Sequence, residues 1–449
     1  MRRYLGCLPA VCCVVALLSI AGCTRKPALG DEVVRDRLTQ ALTAKRPPFD
    51  SENSKRTRRV WDETRRFYEA NGTQLAWSDA RKPRSAVDGL VRALRAADRE
   101  GLNAADYDVS GLDAARQAFD TEHAIDFDVR CTYAYLRYGW DLTHGSIDPE
   151  TVAPQWHAVP RGKDLHGSLK SALDAGPSTG SGRSSIEASL ESLAPHAPPY
   201  LGLKHQLALA LDRHDATEVD RIVMNMDRWR WLPDELGSRY LIVNIPAFRL
   251  DAIENGQSVL SMRVITGRED NPTPVLADEI TSVVFSPYWN IPESIVQKEI
   301  LPKLVNDPAY LQRNNMETDE SGQHYRQRPG RGNSLGAVKF VFPNHFNVYL
   351  HGTPSVSLFK RIERDFSHGC VRLERPLDLA KYVLRDQPEW TAERIVSAMN
   401  AGSERGVKLT APLPIYLVYL TAWEEGGVLR TVRDVYGLDK RHAAMSEGA

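Results

Sequence analysis

In the first half of the chain, large apolar residues recur three and four positions apart, the spacing of one helix face. Two such stripes are Trp61, Thr64, Phe67 and Tyr68, and Val87, Leu90, Val91 and Leu94. Further helices are predicted at about 129–142, 203–211 and 216–228. Gly101-Leu102 ends one helix, and a Gly/Ser-rich stretch at 176–183 predicts a loop. The pattern indicates an α-rich region whose aromatic stripes form a core.

The second half contains short runs of β-branched and aromatic residues, separated by turn residues such as Glu254-Asn255-Gly256. The predicted strands are 239–245, 248–253, 258–266, 282–288, 338–342 and 347–350. Strands of this length and spacing are typical of a sandwich or barrel. A helical insertion begins near residue 292 and becomes a polar loop to about 332, and another helix follows residue 375.

The predicted fold class is therefore α+β, with an α-helical domain followed by a mainly β, sandwich-like domain. The predicted segments are a tether at 23–55, helical domain at 56–235, β domain at 236–425 with its insertion at 292–332, and C-terminal tail at 426–449. The 449 residues are 42% hydrophobic, enough for a real core. Net charge is −1, from 57 basic and 58 acidic residues, which gives no electrostatic case for a nucleic-acid partner.

The N-terminus has the layout of an export signal over 1–22, with Arg2 and Arg3 before an apolar stretch. A membrane-anchoring helix is the alternative. Ile20-Ala21-Gly22-Cys23 resembles the bacterial lipobox, which implies cleavage before Cys23 and a lipid anchor on that residue. The expected location is the periplasmic cell envelope. Because Thr24 rather than Asp follows Cys23, the outer membrane is favoured.

Cleavage at that site would leave Cys131 and Cys370 as the unmodified cysteines. The two thiols could pair in an oxidising compartment. Cys131, however, lies in an aromatic run that predicts a buried helix, where a cysteine acts as a small apolar residue. Cys370 would then be a free thiol in an exported protein, which marks it as a candidate reactive group.

The runs His351-Gly352-Thr353 and Ser367-His368-Gly369-Cys370 place imidazoles near that thiol. A thiol attacks only as the thiolate, which a neighbouring imidazole can generate. Gly369 removes a side chain from the approach to Cys370, and the backbone N–H groups of these two residues could stabilise an oxyanion. A zinc site would need about four ligands, and only His345 is a further nearby imidazole. A structural cysteine beside core histidines is the other alternative.

The pattern H…[ST]HGC followed by an apolar residue and Arg resembles the L,D-transpeptidase (YkuD-type) catalytic domain, in its larger YcbB-like branch. The segments 224–233, 328–330 and 333–336 resemble others of that branch, and the helical half resembles its scaffold. The resemblance implies that Cys370 is the nucleophile, His351 the general base and the Gly352 carbonyl the group that holds the imidazole. His368 and Gly369 would support the site.

The same resemblance implies that Arg372 positions the donor peptide or the loop, and that Ser367 contacts the substrate. Tyr288 and Trp289 line the cleft or belong to the core. The insertion at 292–332 corresponds to a capping subdomain.

The implied function is cross-linking of peptidoglycan stem peptides by 3→3 bonds, through a Cys370 thioester and release of D-alanine, without metal or organic cofactor. The alternatives are an L,D-carboxypeptidase, an enzyme that attaches lipoproteins to peptidoglycan, and a catalytically idle envelope scaffold. A secreted cysteine protease is disfavoured because no His/Asn pair follows the cysteine in the expected order.

Overall fold

The computed structural model describes residues 30–50, 52, 54–154, 156, 161–176 and 183–447. The predicted signal at 1–22, Cys23 and most of the Gly/Ser loop lie outside these residues. The helices of the first half are α1 Asp31–Leu42, α2 Lys55–Ala70, α3 Ala86–Arg95, α4 Val109–Gln117, α5 Ala124–His144, α6 Pro149–Val152, α7 Leu165–Asp174, α8 Ser185–Leu193, α9 Pro198–Asp212 and α10 Ala216–Arg230. Short 3₁₀ turns span Ala97–Glu100 and Ala104–Tyr107.

Helix α5 is the centre of the helical region. Most of its residues are buried, and it contacts α1, α2, α3, α4, α7, α8 and α10. The predicted apolar stripe of α2 packs against it, with Trp61 and Tyr68 fully buried. Helix α2 begins where the Ser54 side chain accepts the N–H of Thr57, and α8 begins with a capping box between Ser184 and Glu187. The side chains that sequence periodicity marks as core therefore form the core.

The stretch predicted as a polar tether contains a packed helix, α1. Val34 and Leu38 of α1 are buried against the helical core. The Nε1 of Trp61 donates to the carbonyl of Ala44 at 2.7 Å, which fixes the chain after the helix. Val34 and Leu38, four positions apart, are the only buried residues within this described helix, so the periodicity was too weak to distinguish a docked helix from a linker.

The strands of the second half are β1 Arg239–Asn244, β2 Arg249–Glu254, β3 Gln257–Gly267, β4 Leu276–Phe285, β5 Trp289–Asn290, β6 Met316–Thr318, β7 Tyr325–Gln327, β8 Val338–Val341, β9 Leu350–His351, β10 Asp365–Ser367, β11 Val371–Leu373, β12 Arg405–Val418, β13 Ala422–Glu425 and β14 Val428–Thr431. The main sheet has the order β10-β3-β11-β9-β8-β4-β12-β1-β2, and β2 also pairs with β3. The hydrogen-bonded ring thus closes around the second core, as in a barrel.

The C-terminal part of strand β12 is buried on both faces and joins the two halves. Ile415, Leu417 and Tyr419 at its end point into the core of the sheet domain. Tyr416, Val418 and Leu420 alternate with them and belong to the core of the helical region. Period-two alternation lets one strand contribute to two cores, and it explains the continuous apolar run that encodes it.

The insertion after β5 forms a small unit of its own. It comprises α11 Glu293–Ile295, a π-helical turn Val296–Ile300, α12 Leu301–Asn306, α13 Tyr310–Arg313 and the sheet β5-β7-β6. Ile291, Ile295, Val296 and Ile300 are its buried apolar residues. The predicted polar loop to residue 332 therefore contains a short helix and two strands, which their three- and four-residue lengths concealed in the sequence. Helices α14 Pro376–Val383 and α15 Ala392–Met399 follow β11.

The segment from residue 426, expected as a tail, contains β14 and helix α16 Leu438–Glu447. Helix α16 contacts α6 and α10, and its His442 is buried against Trp231. No helix among the described residues is long and apolar enough to cross a membrane.

Candidate active site

The two runs singled out in the sequence lie side by side. Strands β9 and β11 pair in parallel, with Leu350 opposite Val371 and His351 opposite Arg372. Side chains alternate between the faces of a strand. Leu350 and Val371 point into the sheet core, so His351 and Arg372 point to the opposite face. Cys370 immediately precedes β11 on the same alternation, which brings the thiol and the imidazole onto one face.

We call this the catalytic face: the surface of β8, β9 and β11 that carries Lys339, Tyr349, His351, Cys370 and Arg372. Lys339 opposes His351 in the antiparallel β8–β9 pair. The direct cross-strand row is therefore Lys339–His351–Arg372. Cys370 lies two residues before Arg372, the direct partner of His351, and is therefore diagonal to His351 across the two strands. The two side chains therefore project from the same face of adjacent, hydrogen-bonded strands.

The imidazole of His351 is held as a neutral base. The side chain is 4% exposed, and its Nδ1 hydrogen bonds to the Gly352 carbonyl at 2.5 Å. Donation from Nδ1 leaves the lone pair on Nε2. Burial, and then the charge of Arg372, lowers the pKa of His351 to about 3. The predicted role of the Gly352 carbonyl thus has a matching contact.

Gly336 allows this arrangement because it approaches the Gly352 backbone closely. A Cβ at Gly336 would lie 2.7 Å from the Gly352 carbonyl carbon, and its φ is +65°. Both features favour glycine. The preceding residue, Leu335, presents a carbonyl that also stabilises protonated His351 against the effect of burial. The segment 333–336, which resembles the family in sequence, therefore packs against Gly352 and His351 through Gly336 and Leu335.

The thiol of Cys370 is half-buried, and burial raises its pKa. Hydrogen bonds from the Tyr349 backbone and side chain, and the charges of Lys339 and Arg372, act in the opposite direction. The sulfur also lies 3.8 Å from the Asn347 carbonyl oxygen. The raised pKa favours the thiol form, in which the sulfur donates to the Asn347 carbonyl. Cys131, in contrast, is fully buried in α5, as predicted.

The loop before Cys370 is braced from behind. Gly369 has a φ of +110°, and its carbonyl accepts the Thr273 hydroxyl at 2.8 Å. The Tyr436 hydroxyl accepts the Thr273 N–H at 3.2 Å and donates to the Gly267 carbonyl at 2.7 Å. Neither Thr273 nor Tyr436 was recognisable from the sequence, because both lie far from the motif along the chain.

Two of the expected roles in this loop change. Ser367, expected to contact substrate, is 2% exposed, and its hydroxyl donates to the Cys370 carbonyl at 2.5 Å. The same hydroxyl accepts the Gly369 N–H at 3.2 Å, so this N–H, expected to face an oxyanion, is engaged in this state. Ser367 therefore shapes the loop from inside, as its burial between β10 and β11 requires.

His368 links the loop to the insertion. Its Nε2 lies 3.0 Å from a carboxylate oxygen of Glu299 in the π-helical turn. Nη2 of Arg268, just after β3, lies 3.1 Å from the same ring nitrogen. The imidazole therefore contacts both the sheet domain and the insertion.

Tyr288 and Trp289 lie at the base of the insertion. Arg326 of β7 stacks over the Tyr288 ring at 4.4 Å, and Trp289 packs against the insertion's apolar cluster. Both rings are half-buried. Trp289 thus has a packing role, while Tyr288 lies beside Glu404, which accepts its N–H at 2.7 Å. Within the described residues, no group of three or more His, Cys, Asp or Glu side chains could hold a metal ion.

Two family models match the chain. A Scaffold domain matches residues 62–207, and the L,D-transpeptidase catalytic domain (YkuD) matches residues 238–396. A protein of Haemophilus influenzae named "Putative L,D-transpeptidase" is 32% identical over 239 residues, which are 49% of this chain and 48% of that protein. The chain therefore spans about half the length of that curated relative.

Solved structures similar to the chain include an L,D-transpeptidase from Mycobacterium smegmatis, at 15% identity, a TM-score of 0.22, 40% of this chain and 58% of that one. L,D-transpeptidase 3 from Mycobacterium tuberculosis, in complex with a faropenem-derived adduct, has 16% identity and a TM-score of 0.22 over 40% of this chain and 60% of that one. TM-scores this low support no argument about the site.

Proposed function

Because residues 238–396 belong to the L,D-transpeptidase catalytic domain family, we propose that this protein is an L,D-transpeptidase that forms 3→3 cross-links between peptidoglycan stem peptides. Cys370 is the nucleophile in this proposal, and His351 is the general base. By analogy with the family, the donor is a tetrapeptide stem whose third residue is a diaminopimelate, and the acceptor is the side-chain amine of that residue in a second stem. No metal or organic cofactor takes part.

The placement of Cys370 and His351 on one face of paired strands carries the proposal. Strand pairing fixes the imidazole, and the Gly352 carbonyl fixes its tautomer with Nε2 free to accept a proton. A sulfur and a positioned base are the two groups that covalent acyl transfer requires. An idle scaffold would not need the buried histidine held in this tautomer.

The proposed reaction has two steps. The Cys370 thiol gives its proton to His351, and the sulfur attacks the carbonyl of the third stem residue. The carbon–nitrogen bond to D-alanine breaks as His351 returns the proton to the leaving amine, which leaves a thioester. The acceptor amine then attacks the thioester, the carbon–sulfur bond breaks, and the proton that the amine nitrogen loses passes through His351 to the sulfur. The backbone N–H of Cys370 itself is the proposed hydrogen-bond donor to the developing oxyanion.

The group that attacks the thioester determines which of three related activities the protein has. Attack by water would make the protein an L,D-carboxypeptidase, and attack by a lipoprotein lysine would make it an anchoring enzyme. The contact between Glu299 and His368 brings the insertion to the nucleophile loop, which supports a cap that excludes water. We therefore favour an amine acceptor. The YcbB-like branch, the lipid anchor at Cys23 and the periplasmic location belong to the same proposal.

The test is muropeptide analysis of cells that express the wild type or Cys370→Ala. We expect 3→3 dimers with the wild type and their loss with the variant. Equal dimer levels would contradict the proposed mechanism. If cells that express the wild type contain shortened stems but no 3→3 dimers, the protein is an L,D-carboxypeptidase instead.

A complementary test uses the purified protein and a carbapenem. We expect meropenem to acylate Cys370, visible as a mass increase that Cys370→Ala abolishes. A folded wild type that gains no adduct would argue against an acyl-accepting thiol and in favour of the idle scaffold.

A further inference from the structure

Two cations flank the imidazole of His351 on the catalytic face. Lys339 and Arg372 are its direct neighbours in the cross-strand register, one on each side. Both are half-buried, and burial lowers the pKa of each. A partly desolvated charge without a counter-ion is costly, so such a pair favours the entry of an anion.

The surroundings of these cations do not neutralise them. Lys339 Nζ lies 4.4 Å from the centre of the Tyr349 ring, which is a cation–π contact. Glu404 attracts Lys339 from further away, but its carboxylate accepts the Tyr288 N–H at 2.7 Å. In the described part of the chain, neither Lys339 nor Arg372 has an acidic side chain within ion-pair distance. The row therefore carries two positive charges and no acid.

We propose that Lys339 and Arg372 bind a carboxylate of the donor stem peptide, which supplies the negative charge that the row lacks. The inference rests on the proposed function, since it names the recognition element of the same site. An ammonium and a guanidinium are suited to this task because charge-assisted hydrogen bonds to carboxylates are among the strongest in proteins. The sequence motif contains Arg372, whereas Lys339 is identified only by the register.

Next to the bond that breaks, a tetrapeptide donor offers two such carboxylates. One is the side-chain carboxylate of the third residue, whose carbonyl is attacked, and the other is the main-chain carboxylate of the leaving residue. Either would also assist the chemistry. Proton transfer from Cys370 creates an imidazolium between two cations, and a bound carboxylate offsets that repulsion. We therefore expect loss of the carboxylate to lower kcat as well as to raise KM.

The experiment uses the purified full-length chain and three synthetic tetrapeptide donors with one common amine acceptor. The donors carry both carboxylates, an amide in place of the third-residue side-chain carboxylate, or an amide at the C-terminus. With the wild type, we expect one of the amides to raise KM on the order of tenfold, which identifies the bound carboxylate. Lys339→Met should raise KM about tenfold for donors that retain it, and less than twofold for the donor that lacks it.

The controls separate charge from structure. Lys339→Arg should restore most of the affinity because it keeps the charge, and Lys381→Met should change nothing because Lys381 is exposed on α14. Wild-type KM values that are equal for all three donors would overturn the inference without any variant. A Lys339→Met effect of equal size on all donors would do the same. A wild type inactive on every donor would instead overturn the proposed function.

Discussion

Buried charge is arranged differently in the helical region and on the catalytic face of the sheet. In the helical region Asp227 has three polar partners: Arg230 and Ser146, each at 2.7 Å, and His442 at 3.5 Å. Partners of the same kind surround Arg137, Asp141, Arg228 and Arg161. On the catalytic face, Lys339 and Arg372 border His351 without an acidic partner. Paired charges hold elements together, whereas unpaired ones remain available to a ligand.

Paired and unpaired buried charges should differ in what their substitution changes. A buried ion pair adds little net stability when it forms, but removal of one partner leaves an uncompensated charge and is costly. Substitutions in the helical region should therefore change stability and leave the chemistry intact. Substitutions on the catalytic face should slow the chemistry and leave the stability of the fold nearly unchanged. The following variants test this contrast, from the largest expected effect to the smallest.

His351→Gln should slow acylation of Cys370 by about a thousandfold at neutral pH, because the general base is lost. The deficit should shrink as pH rises past the raised pKa of the thiol, since the thiolate then forms without a base. In the wild type, burial lowers the pKa of His351 to about 3, so the imidazole stays unprotonated, and we expect no His351-dependent loss of rate from pH 7 down to about pH 4. Stopped-flow acylation across pH measures this, with thermal unfolding as the check on folding. A constant deficit at all pH values would contradict the assignment.

Asp227→Asn should lower the free energy of unfolding by about 3 kcal/mol, because Arg230 loses its counter-ion inside the protein. Urea unfolding measures the loss, and kcat of the folded fraction should not change. Asp62→Asn is the matched control, since the pair of Asp62 with Arg65 is exposed and should contribute less than about 0.5 kcal/mol. A change in kcat with unchanged stability would break the contrast.

Tyr436→Phe should reduce kcat about fivefold to tenfold, because it removes the hydroxyl that joins Thr273 to Gly267 behind the nucleophile loop. KM should change little, since Tyr436 acts through the position of Gly369 rather than on substrate. Tyr240→Phe is the control, because no hydrogen bond contributes to the pKa of the Tyr240 hydroxyl. Equal effects of the two variants would show that the bracing is only structural.

Glu299→Gln should have the smallest effect, about twofold to threefold, because its pair with His368 is partly exposed. The expected change is in the ratio of hydrolysis to amine transfer, since a loosened insertion admits water. Product analysis by mass spectrometry measures the ratio. Glu293→Gln, in the same insertion but bonded to Gln297, is the control and should leave the ratio unchanged.

The sequence predicted the large, periodic elements well. Helices α2, α5 and α10 and strands β1–β3 lie where apolar spacing placed them, because each has enough buried residues to show its period. The α+β class is confirmed, and residues 238–396 match the model of the L,D-transpeptidase catalytic domain that the motif had indicated. The cysteine–histidine motif also indicated the pair that the strands bring together.

The elements that were missed depend on contacts that local sequence does not encode. Strand β12 was not predicted, since Pro412 and Pro414 argue against a strand. The register shift between Lys408 and Leu413 accommodates Pro412, whereas Pro414 is paired in register with Glu279. Helix α1 depends on two buried side chains. Lys339 and Tyr436 reach the site only through pairing and packing across long sequence separations. The residues of a catalytic motif lie close together in sequence, whereas the residues that position or charge the site can be distant in sequence.

The two-sided strand β12 makes the halves inseparable in practice. A fragment that began at residue 236 would keep the catalytic motif but expose Tyr416, Val418 and Leu420 as an apolar stripe beside an emptied docking surface. Such a fragment should aggregate, and the full chain should unfold in one transition rather than two. Exchange of the helical half for that of a relative would therefore succeed only if this stripe were exchanged with it.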